Sequence, residues 1–209
     1  MALAILIILL VLFIAVWLFW RVRSRRKSLP CPAWLSWMVD NPFSMRRTSA
    51  TLGHLRLSPG QNVLDAGCGP GRLTIPIAKV VGPEGIVLAV DIQSNMLRRT
   101  KAKAARASAD NIEFLQAALG EGQLPKSRFD RAILSTVLGE IPDRPKALRE
   151  IYGSLKPGGF LLVNEVMGDP HYQSLAKVKA LAEAAGFRPG AYHGHRLAFS
   201  VELEKPHAG

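Results

Sequence analysis

Cysteine is all but missing from this 209-residue chain: Cys31 and Cys68 stand alone and far apart. Such a pair frames neither a disulfide scaffold nor a metal site, so two free thiols in a reducing compartment are expected, and no metal. Acidic residues are scarce as well, 16 against 27 lysines and arginines, which leaves a net charge of +11. That balance asks for an anionic partner, either nucleic acid or an anionic lipid surface. Aromatic residues are few (7%) and are not interleaved with the basic ones. The usual sign of a nucleic-acid platform is therefore absent, and no nucleic-acid partner is expected. Repeats and low-complexity segments are lacking too.

Charge is wholly absent from residues 2–20, ALAILIILLVLFIAVWLFW, as are glycine and proline. At about 1.5 Å per residue this stretch forms a helix of roughly 29 Å, close to the hydrocarbon thickness of a bilayer. Trp17 and Trp20 fall at its end, and Arg21, Arg23, Arg25, Arg26 and Lys27 follow. A cleaved signal peptide carries its positive charge before the apolar run and a small-residue site after it; neither is found here. Residues 1–20 are expected to form a single transmembrane anchor, with everything after Arg21 on the cytoplasmic side. Residues 21–43 form a basic, aromatic juxtamembrane linker. Within it, 33–39 (Trp34, Leu35, Trp37, Met38) is either a short interfacial helix or a patch packed on the following domain. Arg46, Arg47 and Arg56 extend the basic stretch, with Asp40 as its one acid.

From residue 44 to 209 short apolar runs alternate with helical patterns. Strands are expected at 62–66, 86–90, 111–115, 130–136 and 160–164, and helices at 44–57, 73–81, 94–107, after Asp143, and over 175–185. Two strands, near 189–192 and 196–203, close the chain with no helix between them. The fold class is α/β, a doubly wound, mostly parallel sheet with an antiparallel strand at its C-terminal end. Arg98, Arg99, Lys101, Lys103 and Arg106 make one helix strongly basic; a charge run of this kind is ordinarily a solvated face.

The first strand ends in Asp65 and runs into Gly67, Gly69 and Gly71, and the second ends in Asp91. Ligands of open α/β sheets bind at the carboxyl ends of the strands, and glycines let the backbone come close. A dinucleotide fingerprint reads G-x-G-x-x-G and offers a helix terminus to pyrophosphate. Here the third glycine comes one residue early, Arg72 follows it, and Asp65 would repel a pyrophosphate. Asp65 suits instead a ligand with a cationic amino group, such as the methionine end of S-adenosylmethionine (SAM), while Asp91 suits the two hydroxyls of a ribose.

The segments VLDAGCGPG (63–71), VLAVDIQSNML (87–97), FDRAILSTVLGEIPD (129–143) and LKPGGFLLVNEV (155–166) resemble the class I, Rossmann-like SAM-dependent methyltransferases, near their quinone and sterol methyltransferases. The resemblance implies a seven-stranded sheet and SAM as cofactor. It implies cofactor contacts from Asp65, Ala66, Gly67, Gly69 and Gly71, from Asp91 to the ribose, and from Ile92 and Met96 beside the adenine. Ala118 stands where the family often has an acid for the adenine amino group, with Ala117 a further cofactor contact beside it, and Ser135 to Leu138 would border the methyl group. Relatives often read H-H-I where this chain has Gly139-Glu140-Ile141. Glu140 is thus a candidate general base, a partner for a cationic substrate head, or a solvated loop carboxylate; Glu165 has a similar standing. His171 and Tyr172 lie where such folds cover the acceptor, either acting there or capping the next helix. The acceptor implied is small and lipophilic or membrane-resident: a phospholipid headgroup, a quinone-type ring or a thiol. A membrane protein or RNA as acceptor, and a SAM-binding scaffold without turnover, are the alternatives.

Overall fold

The computed structural model describes residues 4–8, 11, 12, 14–16 and 42–207. Strand-forming sequences that are apolar on both faces can be satisfied only by a sheet covered on both sides, and this sheet is. The helix α1 (Pro42–Leu55) leads into β1 (Val63–Ala66), α2 (Thr74–Val81), β2 (Val87–Asp91), α3 (Ser94–Arg106), β3 (Ile112–Gln116) and β4 (Phe129–Ser135). A 3₁₀ turn, Leu138–Glu140, precedes α4 (Arg144–Ser154), and β5 (Leu155–Val166), α5 (Leu175–Ala184), β6 (Arg188–His195) and β7 (Ala198–Glu204) follow. The seven strands lie in the order β3-β2-β1-β4-β5-β7-β6. β1 to β5 pair in parallel, while β7 runs antiparallel to both β5 and β6.

Alternation along the strands builds two cores. Leu64, Val90, Leu134, Leu161 and Val163 face Leu148 and Ile151 of α4 and Val178 of α5. Val63, Val87, Ile133 and Leu162 face Leu55 at the end of α1 and Ile77 and Val81 of α2. Ala89 meets Leu97 of α3 beside Cys68. Burying a side chain of this size contributes about 1.5–3 kcal/mol. Helix α4 starts as the sequence suggests: Asp143 accepts a hydrogen bond from Lys146 N (3.0 Å), with proline in the first turn.

Three features differ from the sequence expectation. β6 spans eight residues rather than four, because the hairpin partner β7 recruits its polar, mostly exposed run RPGAYHGH by backbone pairing, with a register shift between Pro189 and Tyr192. β5 begins at Leu155, which pairs with Phe129 ahead of the Pro157-Gly158-Gly159 irregularity. Arg56, counted with the juxtamembrane charges, is tied into the domain: it pairs with the buried Glu202 of β7 at 2.5 Å and lies 5.0 Å over the Phe160 ring.

Among the described residues no helix is long and apolar enough to cross a membrane. The span expected over 1–20 is described only at helical residues 4–8, 11, 12 and 14–16. Trp17, Trp20, the basic run 21–27 and the expected interfacial helix at 33–39 lie outside the described residues.

Candidate active site

The parallel strands bring the loops after β1, β2, β3 and β4 to one edge of the sheet, where they enclose a cavity of about 270 Å³. Asp65, Gly67, Gly69, Asp91, Ile92, Met96, Ala117, Ala118, Ser135 and Glu140 all line it.

At its centre stands Asp65, 2% exposed. Thr74 Oγ1 donates to its Oδ2 at 2.6 Å. Burial drives its pKa up to about 6, against the opposing pull of Thr74 and of the Arg72 cation, and the neighbouring Asp91 charge adds to the rise. A buried carboxylate in this condition is poised for a cationic ligand group. Asp91 lies across the loop and is also buried. Its Oδ2 accepts from Gly69 N (2.9 Å) and its Oδ1 from Gln93 N (2.8 Å). Each oxygen keeps a further lone pair, so Asp91 shapes the glycine loop while retaining acceptors for a diol. Burial raises its pKa as well.

The glycines divide their work. Gly67 takes φ +78°, and a β-carbon there would lie 2.6 Å from the Val137 methyl groups, on the cavity wall. Gly71 takes φ +80°, but a β-carbon there would lie 2.7 Å from Thr100 Cγ2. It serves the approach of α3, and it does not line the cavity. Thr100 Oγ1 in turn donates to Gly69 O (2.8 Å), which links α3 to the loop. Ala66 is fully buried in the core and likewise stays out of the cavity wall. Both positions were expected among the cofactor contacts; the strand's alternation turns the first inward, and helix packing claims the second.

Where the family often places an acid, Ala118 leaves only backbone and packing, joined by Ala117 and Leu119. This loop is held from behind, since the Glu150 carboxylate accepts from Gly120 N and from Leu124 N (2.9 Å). No sequence signal marks Glu150 for that role.

At the other end of the cavity, Thr136 adopts φ +58°, a left-handed conformation that costs a β-branched residue about 1–3 kcal/mol. Ser135 Oγ accepts from Arg72 Nη2 (3.1 Å), while Arg72 Nη1 reaches Thr48 Oγ1 of α1 (2.9 Å). The sequence shows Arg72 only as a mismatch to the dinucleotide fingerprint; the fold makes it a cationic brace in the wall. Glu140 and Asp169 complete that end.

Of the acceptor-side candidates, His171 is 7% exposed and stands just behind the wall. Its Nδ1 is 3.5 Å from Asp169 Oδ1 and 3.9 Å from Glu140 Oε1. Gly139 makes room for this: a β-carbon there would collide with His171 O. Tyr172 is not brought to the cavity; its hydroxyl donates to Arg196 O, and its ring sits edge-on to Phe199 at 6.2 Å. Glu165 is buried at the end of β5, accepting from Gln173 N (3.0 Å), and burial pushes it up to about 8. Cys68 lines the cavity, but burial pushes its thiol up, so it is not a ready nucleophile. No group of three or more metal-ligating side chains occurs among the described residues.

Comparison with known proteins adds four findings. The family described as "Methyltransferase domain" matches residues 57–192. Demethylmenaquinone methyltransferase of Listeria monocytogenes serotype 4a (strain HCC23) is 37% identical over 111 residues, 53% of this chain and 47% of that one. The ubiquinone/menaquinone biosynthesis C-methyltransferase UbiE of Vibrio vulnificus (strain YJ016) is 39% identical over 121 residues, 57% and 46% of the two chains. The chain thus spans about half the length of the curated relatives it matches. Among solved structures, a SAM dependent methyltransferase from Aquifex aeolicus superposes with a TM-score of 0.77 at 23% identity, covering 84% of this chain and 99% of the other; at that identity the likeness is one of fold.

Proposed function

Since the chain belongs to the methyltransferase-domain family, we propose that it transfers the methyl group of SAM to a small lipophilic acceptor, a quinone-type ring foremost. The observation that carries the cofactor reading is the pair of buried carboxylates on either side of the glycine loop, Asp65 driven up to about 6 and Asp91 bonded to Gly69 N. The first suits the methionine ammonium and the second the ribose hydroxyls. Ile92 and Met96 flank the adenine, and the backbone at Ala117 and Ala118 meets its edge.

When bound, SAM supplies a methyl group on a sulfonium leaving group. The chain supplies position and a proton acceptor. Ser135 and Thr136 border the reacting carbon. A quinol-type ring becomes a carbon nucleophile when its hydroxyl proton is withdrawn, and Glu140 is the carboxylate on the cavity wall that takes it; once the ring carbon carries the methyl group, its own C–H proton would move to the ring oxygen and restore the aromatic quinol, leaving one proton on Glu140. His171 stands behind, its Nδ1 3.9 Å from Glu140 Oε1 and 3.5 Å from Asp169 Oδ1, and acts as a positioning residue for the two carboxylates. Tyr172, held on Arg196 O, steadies the loop. The relatives, a demethylmenaquinone methyltransferase and a ubiquinone/menaquinone biosynthesis C-methyltransferase, favour a quinone ring over a phospholipid headgroup or a thiol.

We also read the N-terminal stretch as a single-pass bilayer anchor with the domain on the cytoplasmic side. Ile5, Leu6, Ile7, Ile8, Val11, Leu12, Ile14 and Val16 sit on helical turns at 45–68% exposure, apolar surface that water disfavours and lipid accepts.

The test is transfer of label from methyl-labelled SAM, with the full chain in vesicles, to a demethylated quinol and separately to total lipid, protein and RNA. Label in the quinol alone supports the reading; label in protein or RNA, or none despite SAM binding, sinks it. Glu140→Gln should lower kcat on the order of 10²-fold or more with SAM affinity kept.

A further inference from the structure

Few large apolar side chains of the folded domain are left in water. Between residues 47 and 207 they are Val80, Ile92, Met167, Tyr192 and Leu197, each 39–54% exposed. Three of them collect at one edge. Ile92 directly follows β2, Met167 directly follows β5, and Leu197 forms the β6–β7 turn, where Met167 N donates to Leu197 O at 2.7 Å. This is the carboxyl edge of the parallel strands, where the cavity opens, and Ile92 is part of the cavity wall.

Positive charge lies beside this apolar rim. Helix α3 begins at the same edge, carries no acid from Ser94 to Arg106, and exposes Arg98 and Arg99 within its first two turns. Arg196, next to Leu197, is exposed too. The chain that precedes the domain also joins it here. Thr48 of α1 meets Arg72 at the head of α2, and Thr51 accepts from Asn164 near the end of β5 (3.0 Å). Leu55 O, by contrast, accepts from Arg131, which pairs with the first residue of β1. Helix α1 therefore starts at the carboxyl edge and runs away from it.

We propose that this rim docks on an anionic lipid bilayer. Met167 and Leu197 enter the headgroup layer, Ile92 stays on the cofactor at the cavity mouth, Arg98, Arg99 and Arg196 meet the anionic headgroups, and the mouth opens onto the membrane. Two apolar side chains make a weak contact alone, and a chain that enters the domain at the same edge makes that contact intramolecular. A lipophilic acceptor then reaches the cavity without crossing water. The proposal deepens the acceptor reading and rests on it.

The experiment uses the full chain in a Cys31→Ser background, reconstituted in phosphatidylcholine vesicles with or without phosphatidylglycerol. An environment-sensitive dye is attached at Met167→Cys, Leu197→Cys or Val80→Cys. Val80 is the matched control, 40% exposed at the far end of α2, on the opposite edge. Nitroxide-labelled lipids should quench the dye at 167 and 197 but not at 80, and more strongly with phosphatidylglycerol. Each cation near an anionic leaflet strengthens attachment about fivefold, so Arg98→Gln/Arg99→Gln/Arg196→Gln should shift the docking equilibrium on the order of 100-fold. Quenching equal at 80 and 197, or independent of phosphatidylglycerol, overturns the proposal. So does shielding of 197 without quenching together with a cross-linked dimer, which assigns the rim to a second copy. SAM affinity and turnover of a short-chain, water-soluble quinol, read on the same samples, separate the two readings. Docking without turnover counts against the acceptor alone, and turnover without docking against the rim alone.

Discussion

Replacing Asp65 with asparagine should make the ligand-free protein more stable and the cofactor site worse. Asp65 is 2% exposed, and its pKa is raised from 3.8 to about 6, chiefly by burial. A carboxyl that holds its proton more tightly folded than unfolded subtracts stability as it ionises. The loss is absent below about pH 4, grows as pH rises toward 6, and is complete above that. Roughly two pKa units correspond to about 3 kcal/mol. Asparagine keeps the shape and still accepts the 2.6 Å bond from Thr74, yet carries no charge to bury. At pH 8 the Asp65→Asn apoprotein should therefore melt about 5–10 °C higher for a domain of this size, and at pH 4 the two should nearly coincide. The same charge is what a methionine ammonium needs, so SAM affinity should fall on the order of 100-fold. Wild-type affinity should itself weaken about tenfold between pH 8 and pH 5, as Asp65 takes up its proton, while the variant stays flat. Thermal unfolding and calorimetric SAM titration at the three pH values read both effects. A variant that binds SAM as tightly as wild type, or one that melts lower at pH 8, refutes the reasoning.

Other positions answer to the same physics. Glu165, driven up from 4.5 to about 8 by burial, costs the fold stability as pH rises from about 4.5 to 8; Glu165→Gln should match wild type in thermal melts near pH 4 and exceed it near pH 9. Thr136→Gly should relieve the left-handed strain at φ +58° and gain about 1 kcal/mol in denaturant unfolding, at a cost in kcat if that geometry serves the reacting carbon. Gly71→Ala should destabilise by about 1–3 kcal/mol through its clash with Thr100. Gly67→Ala should act first on SAM affinity, by pushing Val137 into the cavity; equal effects of the two substitutions on affinity would contradict the division of labour drawn between them.

The sheet was legible because its strands are apolar runs bounded by glycine, proline or acids, and because Asp65 and Asp91 end two of them. β6 was underestimated since its residues carry no apolar run and are recruited by a partner. The glycine loop was legible as a ligand loop, but not glycine by glycine: the contact that makes Gly71 necessary is with Thr100, 29 positions away in sequence. Arg72, Glu150 and Asp169 escaped for a related reason. Each acts on a loop that only the folded chain brings near, and a lone charged residue carries no mark of its future neighbour. Arg56 misled in the opposite direction, its place beside a basic linker hiding a buried partner in β7.

Asp91 holds the amides of Gly69 and Gln93 while keeping lone pairs for a diol. One consequence concerns how freely this protein can be altered. Strut and recognition group are the same two oxygens, so cofactor preference cannot be edited at position 91 without dismantling the cradle. Glutamate overshoots both amides; asparagine must point a donor at one of them. A redesign for a modified nucleoside would have to leave Asp91 alone and work through Ala118, a half-buried position on the cavity wall whose side chain holds no hydrogen bond.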